Sequence, residues 1–448
     1  MDNSIETRRD ATLLLGLDGV QVDRVEVGDD GLRLVHVVTG DPAARGCPGC
    51  GVVADRSKGR VVTYPRDVTC GDGPVRLVWH KRRWVCREMV CSRGSFTEQI
   101  PQIPARARMT GRLRRAAGRD VADGARTIAQ AARERGMSWP IANAAFTCYA
   151  GEVLPAEPEP TAVLGIDETR RGKADWRHDP ETGKWVLVAD CWHVGFVDAA
   201  GHAGLFGQVE GRTGEKVMAW LAAQAEAWKK QITHVAIDMC ATFRSAIRAA
   251  LPHARVVVDA FHLVQMANRK VGDLRRRLTF TQRGRRGKKG DPEWEIRGLL
   301  VRNRENLSRD QLDKIDRHLE WMGTRGRHIK AGWHAKELLR DLLRLTERHA
   351  GRPPTRLQIS QARYRLQAWC ADHAFLPELI TLADNIDHWW DETEAYVLTG
   401  ITNAASEGNN RLIKLEARNA FGFRNRTNQR LRSRCATTRQ ARRENRPG

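Results

Sequence analysis

Three carboxylates stand far apart in the chain, each where a metal-dependent phosphoryl-transfer site would need one. They are Asp167 in Gly165-Ile166-Asp167-Glu168, Asp238 in Val235-Ala236-Ile237-Asp238-Met239, and Glu407 in Ser406-Glu407-Gly408-Asn409-Asn410. The first two end apolar, β-branched runs that read as buried strands, and the third opens a polar, helix-compatible segment. Oxygen ligands converging at such points suit Mg²⁺ (or Mn²⁺), with two ions about 4 Å apart. One would activate a water or a 3′-hydroxyl and the other would stabilise the leaving oxygen. A lone Asp at a strand end is ordinarily a turn residue or a helix cap, so the reading rests on all three together.

A second set of residues points to a different metal. Five of the ten cysteines fall between Cys47 and Cys91. Cys47 and Cys50 form one knuckle, Cys86 and Cys91 a second, and four thiolates in two knuckles suit a closed, tetrahedral structural Zn²⁺. Cys70 is the alternative fourth ligand.

The elements that must position these groups follow from periodicity. Val20 to Val27 and Leu32 to Val38 read as a β-hairpin around Gly28-Asp29-Asp30-Gly31. From Arg106 to Ala150 the pattern is helical and rich in Arg and Ala. Thr127 to Ala142 reads there as helix, glycine turn and a second helix capped by Ser138, the form of a helix-turn-helix. Gly151 to Pro160 is a proline-rich linker. Thr161 to Asp167, Trp185 to Trp192 and Ala203 to Val209 read as three strands. Helix Thr213–Lys229, strand Thr233–Asp238, helix Ala241–Leu251, strand Ala254–Asp259 and helix Phe261–Leu278 then follow. That order predicts an α/β, ribonuclease-H-like domain with Asp167 and Asp238 on neighbouring strands.

The predicted division is a β-hairpin region over 1–45, a zinc ribbon over 46–104, a helix-turn-helix domain over 105–150 and a linker over 151–160. The catalytic domain takes 161–278 and 401–432, the latter carrying Glu407, around an all-α insertion over 279–400, and a basic tail covers 433–448. Trp321, Trp333, Trp369, Trp389 and Trp390 of the insertion are expected in its core. A helix holding Glu407 would be capped by Thr402 or Asn403, and Gly408 within it suggests close approach by another group.

Lys and Arg number 75 against 54 Asp and Glu, a formal charge of +21, an excess that seeks a polyanion. No run of about 18 apolar residues is present and Met1 to Asp10 is polar. The expectation is therefore a cytoplasmic, nucleoid-associated protein that meets double-stranded DNA rather than a membrane. Candidate DNA contacts are Arg112, Arg114, Arg115, Arg133 and Trp139 in the helix-turn-helix, and Arg285, Arg286 and Lys288 in a basic loop. Arg411, Lys414, Arg418 and Arg424 around and beyond Glu407 complete the set.

In their order these motifs resemble bacterial insertion-sequence transposases of the ISL-three family. They are Cys47-x2-Cys50 with Cys86-x4-Cys91, the helix-turn-helix, Gly165-Ile166-Asp167-Glu168, Ile237-Asp238-Met239, Asp259-Ala260-Phe261-His262, Ser406-Glu407-Gly408-x-Asn410 and Ala420-Phe421-Gly422-Phe423-Arg424-Asn425. Phe243, Ser406 and Asn409 stand where that family more often has Tyr, Thr and an apolar residue. The resemblance implies a DDE transposase with Asp167, Asp238 and Glu407 as the metal-binding triad, and with Asp259 and His262 as supporting residues. Asp259 is the rival for the second acid. It further implies recognition of terminal inverted repeats, Mg-dependent end cleavage and strand transfer, and a homodimer or larger assembly, since two DNA ends must be held. The competing reading is a non-catalytic DNA-binding regulator or a decayed copy of such an enzyme.

Overall fold

Alternating β-branched residues build the sheet of about the first 100 residues around one long strand. The computed structural model describes residues 3–71, 73–201 and 203–444, which fall into two units, Met1–Pro155 and Ala156–Gly448. In the first unit, α1 (Asn3–Leu15) precedes the antiparallel pair β1 (Val20–Val27) and β2 (Arg33–Thr39). The region expected as a β-hairpin over 1–45 therefore also holds a helix ahead of its strands. The Thr12 hydroxyl accepts from Val22 N at 2.8 Å and ties this helix to the sheet.

β3 (Ser57–Thr63), β4 (Arg66–Cys70) and β6 (Ser95–Thr97) all pair with β5 (Gly73–Val85), which also runs parallel to β2. Val75, Leu77 and Trp79 of β5 bury one face against Val20, Val22, Val35 and Val37, the period-two pattern of a half-buried strand. One sheet thus spans the boundary expected at 45/46.

Helices α2 (Gly111–Ala122), α3 (Ile128–Glu134) and α4 (Trp139–Val153) complete this unit. A Cβ on Gly118 would meet Ala145 O and Tyr149 Cβ at 2.5 Å, so glycine lets α2 lie against α4. Gly136 makes the turn before α4 with φ of 58°. Ser138 is the N-cap of α4 without a capping side-chain bond. The reciprocal capping box is at Thr127 and Gln130 of α3.

Arg112, one of the candidate DNA contacts, is partly buried and engaged within this unit. It forms a two-pronged pair with the Asp67 carboxylate and donates to Leu15 O at 2.7 Å and Gly16 O at 2.8 Å. The Asp67 side chain is fully buried and also accepts from the Thr110 hydroxyl at 2.7 Å. Removing one partner strands a buried charge, so Asp67→Ala is expected to destabilise this unit by about 3–5 kcal/mol. Urea unfolding followed by Trp fluorescence reads this, and a loss below about 1 kcal/mol would remove the stapling role.

The second unit holds a five-stranded sheet. β7 (Val163–Arg170) is followed by a separate ribbon, β8 (Asp175–His178) with β9 (Trp185–Ala189), and then by β10 (Trp192–Asp198) and β11 (Leu205–Glu210). The second sheet strand is therefore Trp192–Asp198 rather than Trp185–Trp192. Trp185 to Val188 are exposed and have no buried face, whereas residues 193 to 198 are buried throughout. The predicted helix Thr213–Lys229 divides into α5 (Gly214–Ala222) and α6 (Glu226–Gln231), and nothing in the intervening sequence announces the break. After β12 (His234–Ile237), α7 (Ala241–Ala250) and β13 (Arg255–Val258) comes the long α8 (Ala260–Arg283), ended by Gly284 in the left-handed conformation. Strand order is β11-β10-β7-β12-β13, with β7, β10 and β11 antiparallel and β12 and β13 parallel to β7. A three-stranded meander followed by two parallel strands reached through helices is the ribonuclease-H-like arrangement.

Between α8 and the end of the sheet domain lie α9 (Pro292–Glu295), α10 (Arg297–Leu300), α11 (Arg309–Trp321), α12 (Thr324–Leu343), α13 (Glu347–Ala350), α14 (Arg356–Asp372), α15 (Pro377–His388) and α16 (Trp390–Thr399). Leu339, Leu342, Leu366, Leu382 and Ile386 share a single core with Ile166, Phe196, Ile237 and Val257 of the sheet, so the all-α segment is fused to the sheet domain. Trp333 and Trp389 are buried, but Trp321, expected in the core, is 71 % exposed. In the basic loop Arg285 grips Asp291 at 2.7 and 2.9 Å and is partly consumed internally, whereas Arg286 and Lys288 face solvent.

The chain returns to the sheet through α17 (Ala404–Asn419) and α18 (Arg426–Glu444). The segment expected as a tail is thus helical to Glu444, with Cys435, Ala436 and Ala441 buried, and residues 445–448 lie outside the described part. No helix among the described residues is long and apolar enough to cross a membrane.

Candidate active site and metal centre

Side chains on alternate residues of β7 face α17. Gly165, Asp167 and Thr169 take these positions, and each meets the helix. An added Cβ on Gly165 would lie 2.4 Å from Ser406 Oγ and 3.2 Å from Asn403 Oδ1. The close approach inferred from Gly408 therefore belongs to Gly165, because the space beside Gly408 is open. Gly165→Ala is expected to push α17 off the sheet at a cost of about 1–3 kcal/mol. Thermal unfolding of the full chain measures this, and an unchanged melting temperature would contradict it.

Asn410 Nδ2 donates to Asp167 Oδ2 at 2.6 Å, and the Thr169 hydroxyl donates to Asn410 Oδ1. At the start of the same helix Asn403 Nδ2 donates to Asp238 Oδ1 at 3.2 Å. His262 Nε2 lies 3.0 Å from Asp238 Oδ2. Asn403 stands at the N-cap of α17 as expected, and the Thr402 hydroxyl accepts from Ala404 N at 3.4 Å. Asn403 makes no capping bond; its amide serves Asp238 and its N–H donates to Asp259 Oδ2 at 2.8 Å. Asp259 Oδ1 accepts from Phe261 N at 2.7 Å and caps α8. Both Asp259 oxygens are thus engaged in a buried carboxylate, whereas Asp238 and His262 remain partly open to solvent.

The electrostatics are those of neighbouring carboxylates that raise one another's proton affinity. Burial, and next the charge of Asp238, push Asp167 up to about 7. Burial and Asp238 also raise Glu168, which sequence reasoning left without a role. Hydrogen bonding to Asp238 raises His262 and favours its protonated form.

Glu407 lies four residues after Asn403 and three before Asn410, on the same helical stripe. Its carboxylate is 39 % exposed and 3.8 Å from Arg411 Nη2. Asp167, Asp238 and Glu407 do not gather their oxygens within 4.8 Å of one another. Among the described residues only Cys47, Cys50, Cys86 and Cys91 form so tight a group. Arg411 offers Glu407 a partner of opposite charge on the same helix. The donor set of hard carboxylate oxygens nevertheless fits a divalent cation. Asn403 and Asn410 were missed, although their spacing from Glu407 was a readable signal.

In the cysteine cluster Cys47 Sγ lies 3.9 Å from Cys91 Sγ, and Cys50 Sγ lies 3.6 Å from Cys86 Sγ. A tetrahedron with Zn–S bonds of about 2.3 Å has sulfur–sulfur edges of about 3.8 Å, so the four thiols fit structural zinc. Backbone N–H groups of Gly49 and Cys50 help pull the Cys47 thiol down to about 6, whereas burial and the neighbouring thiols push Cys50 and Cys86 up. Cys70 lies outside this group.

Of the candidate DNA contacts, Arg114, Arg133 and Trp139 are exposed on α2, α3 and the first turn of α4. Arg115 is exposed but paired with Glu152 at 2.9 Å. Lys414, Arg418 and Arg424 are exposed on or after α17.

The model of a transposase family, DDE_Tnp_ISL3, matches residues 164–433. A second model, the zinc-finger of transposase IS204/IS1001/IS1096/IS1165, matches residues 43–91. A curated relative, the transposase for insertion sequence element IS1001 of Bordetella parapertussis, is 28 % identical over 224 residues. That stretch is 48 % of this chain and 50 % of the relative, so the match spans about half the length of each. Among solved structures, the Drosophila P element transposase strand transfer complex aligns over 74 % of this chain and 91 % of that one, with 9 % identity and a TM-score of 0.38.

Proposed function

Since the chain belongs to the ISL3 family of DDE transposases, we propose that it cleaves DNA at the ends of an insertion sequence and joins the freed 3′-hydroxyls to target DNA. The observation that carries this reading is the anchoring of Asp167 and Asp238 by two amides of the helix that bears Glu407. Asp167, Asp238 and Glu407 would hold Mg²⁺ or Mn²⁺, and the bound cations would polarise the scissile phosphate and lower the pKa of the attacking hydroxyl. Asn410 and Asn403 keep one oxygen of each aspartate in a fixed direction, while Asp167 Oδ1 accepts from Glu168 N at 2.8 Å and Asp238 Oδ2 lies 3.0 Å from His262 Nε2. His262 in its charged form offsets the repulsion between the acids before the substrate arrives. In-line displacement at phosphorus needs no covalent protein intermediate, so no Ser or Tyr nucleophile is required.

The zinc ribbon and helix-turn-helix would bind terminal inverted repeats, with α4 presented to a major groove and Arg133 and Trp139 at its entrance. Two ends handled together imply a homodimer or larger assembly. Arg133→Ala combined with Trp139→Ala is expected to weaken binding of end DNA by about 10–100-fold and to lower the slope of log K against log salt by about one, for the lost Arg. Fluorescence anisotropy across a salt series measures both, and unchanged affinity would remove this surface from the interface. The reading as a whole is tested by incubating the full chain with duplexes spanning the DNA that flanks its gene, in Mg²⁺ or Mn²⁺. Strand breaks at the element boundary support it; intact DNA in both metals overturns it.

A further inference from the structure

The sheet face that carries Asp167 continues into a cavity of about 270 Å³ that none of these steps uses. Thr169, His193 and Gln208 line it from β7, β10 and β11, and Ile413 and Ala417 of α17 close one side. The bond from Thr169 to Asn410, whose amide in turn holds Asp167, stands between this cavity and the acids. His193 is 1 % exposed, yet its Nε2 has no hydrogen-bond partner, and neither has the buried Gln208 Oε1. A buried polar atom left unpaired costs about 1–3 kcal/mol, and two lining one cavity point to a ligand with donors and acceptors of its own.

Burial and the neighbouring Arg171 hold His193 down to about 4, so its imidazole is neutral near pH 7 and is not a counter-charge for phosphate. Arg171 itself is committed to Gln429 and to Phe423 O. Four cations line the cavity: Arg171 beside His193, Arg170 exposed on β7, and Lys414 and Arg418 exposed on α17. A neutral imidazole and an amide between apolar walls, with exposed cations at the edge, match one nucleotide with its base inside and its phosphate outside.

We propose that this cavity receives a single unstacked nucleotide of the DNA strand that passes Asp167, with the base edge on His193 and Gln208 and the phosphate on Lys414 and Arg418. The inference rests on the reading of the neighbouring acids as a DNA-cutting site. Unstacking costs a few kcal/mol, and the cavity returns hydrogen bonds that stacked DNA would not use.

The test uses the full chain in EDTA, so no cleavage is needed, with a single-stranded dodecamer carrying 5-iododeoxyuridine. Photocrosslinks mapped by mass spectrometry are expected on the peptides containing residues 192–198 or 205–210. Ala417→Trp, which fills the cavity without touching His193, should lower those crosslinks about ten-fold, while crosslinks elsewhere and total binding change less than about two-fold. Thermal unfolding confirms that the variant is folded, and His193→Ala should give the same selective loss. Deoxythymidine 5′-monophosphate should compete for these crosslinks better than deoxyribose 5-phosphate. Equal competition would reveal a phosphate subsite without base recognition and overturn the proposal, as would crosslinks confined to other peptides or unaffected by Ala417→Trp. Asp167→Asn should crosslink like the unsubstituted chain, so a failure of the cleavage chemistry and a failure of this pocket give different results.

Discussion

Asp167→Asn and Asp238→Asn are each expected to lower end cleavage by about 10³-fold or more, a loss of at least about 4 kcal/mol of transition-state stabilisation. Binding of end DNA should stay within about two-fold, because that work is assigned to the other unit. Glu407→Gln should behave in the same way. Asn403→Ala and Asn410→Ala act through the aspartates they orient, and a loss of about 10–100-fold is expected of them. Gel-resolved cleavage of labelled ends alongside anisotropy separates the two activities. Cleavage by Asp167→Asn at the wild-type rate would end the assignment of that acid.

The buried position of Asp167 gives the same substitution an opposite effect on stability. Its folded-state pKa, about 7, lies above the ordinary 3.8. Between these values the folded protein holds a proton that the unfolded chain has released, so raising the pH through this window destabilises the metal-free fold. Asp167→Asn is neutral throughout and removes that penalty. The metal-free variant should therefore melt a few degrees higher than the natural chain at pH 8 and alike at pH 4. Mg²⁺ should raise the melting temperature of the natural chain at pH 8 and do so less for the variant. A variant that melts lower at pH 8 would show that the acid is not strained in the absence of metal. Such an exchange of fold stability for chemistry is what a site that binds cations between like charges must make.

How much of this was legible beforehand depends on the range of the interaction. β7, β12 and β13 announced themselves as short β-branched runs ending in Asp or preceding a helix, because burial on both faces leaves a continuous apolar signature. Trp185 to Val188 carry the same signature without the burial, and only sheet pairing shows that Trp192 to Asp198 takes the place beside β7. The charge of Arg112 suggested DNA, yet its partner Asp67 is 45 residues away and no local pattern links them. Asn403 read as a helix cap because its residue type and position allow that role; what diverts its side-chain amide is Asp238, just past the end of β12 and 165 residues earlier. The four cysteines were readable because the two knuckles carry their own spacing.

Those cysteines underlie the second large effect. A structural zinc supplies about 10–16 kcal/mol of folding free energy in small domains at neutral pH. The small core here, Cys47, Ala54, Trp84 and Phe96 with Cys86 and Cys91 against it, is too small to stand without a crosslink. Cys47→Ser or Cys86→Ser should reduce bound zinc from about one ion per chain to none detectable by elemental analysis, because a three-thiolate remnant binds far more weakly. Limited proteolysis should then cut within residues 47–91. Trp84 donates to Glu98 Oε1 at 3.0 Å and lies on β5, to which β2, β3, β4 and β6 all pair, so the disorder should spread into that sheet and abolish specific binding of end DNA. The unit that begins at Ala156 has its own sheet and core and should keep its melting transition. Cys70→Ser, outside the tetrahedron, serves as the control and should retain the ion. Full zinc content in Cys86→Ser, or loss of zinc in Cys70→Ser, would require a different fourth ligand.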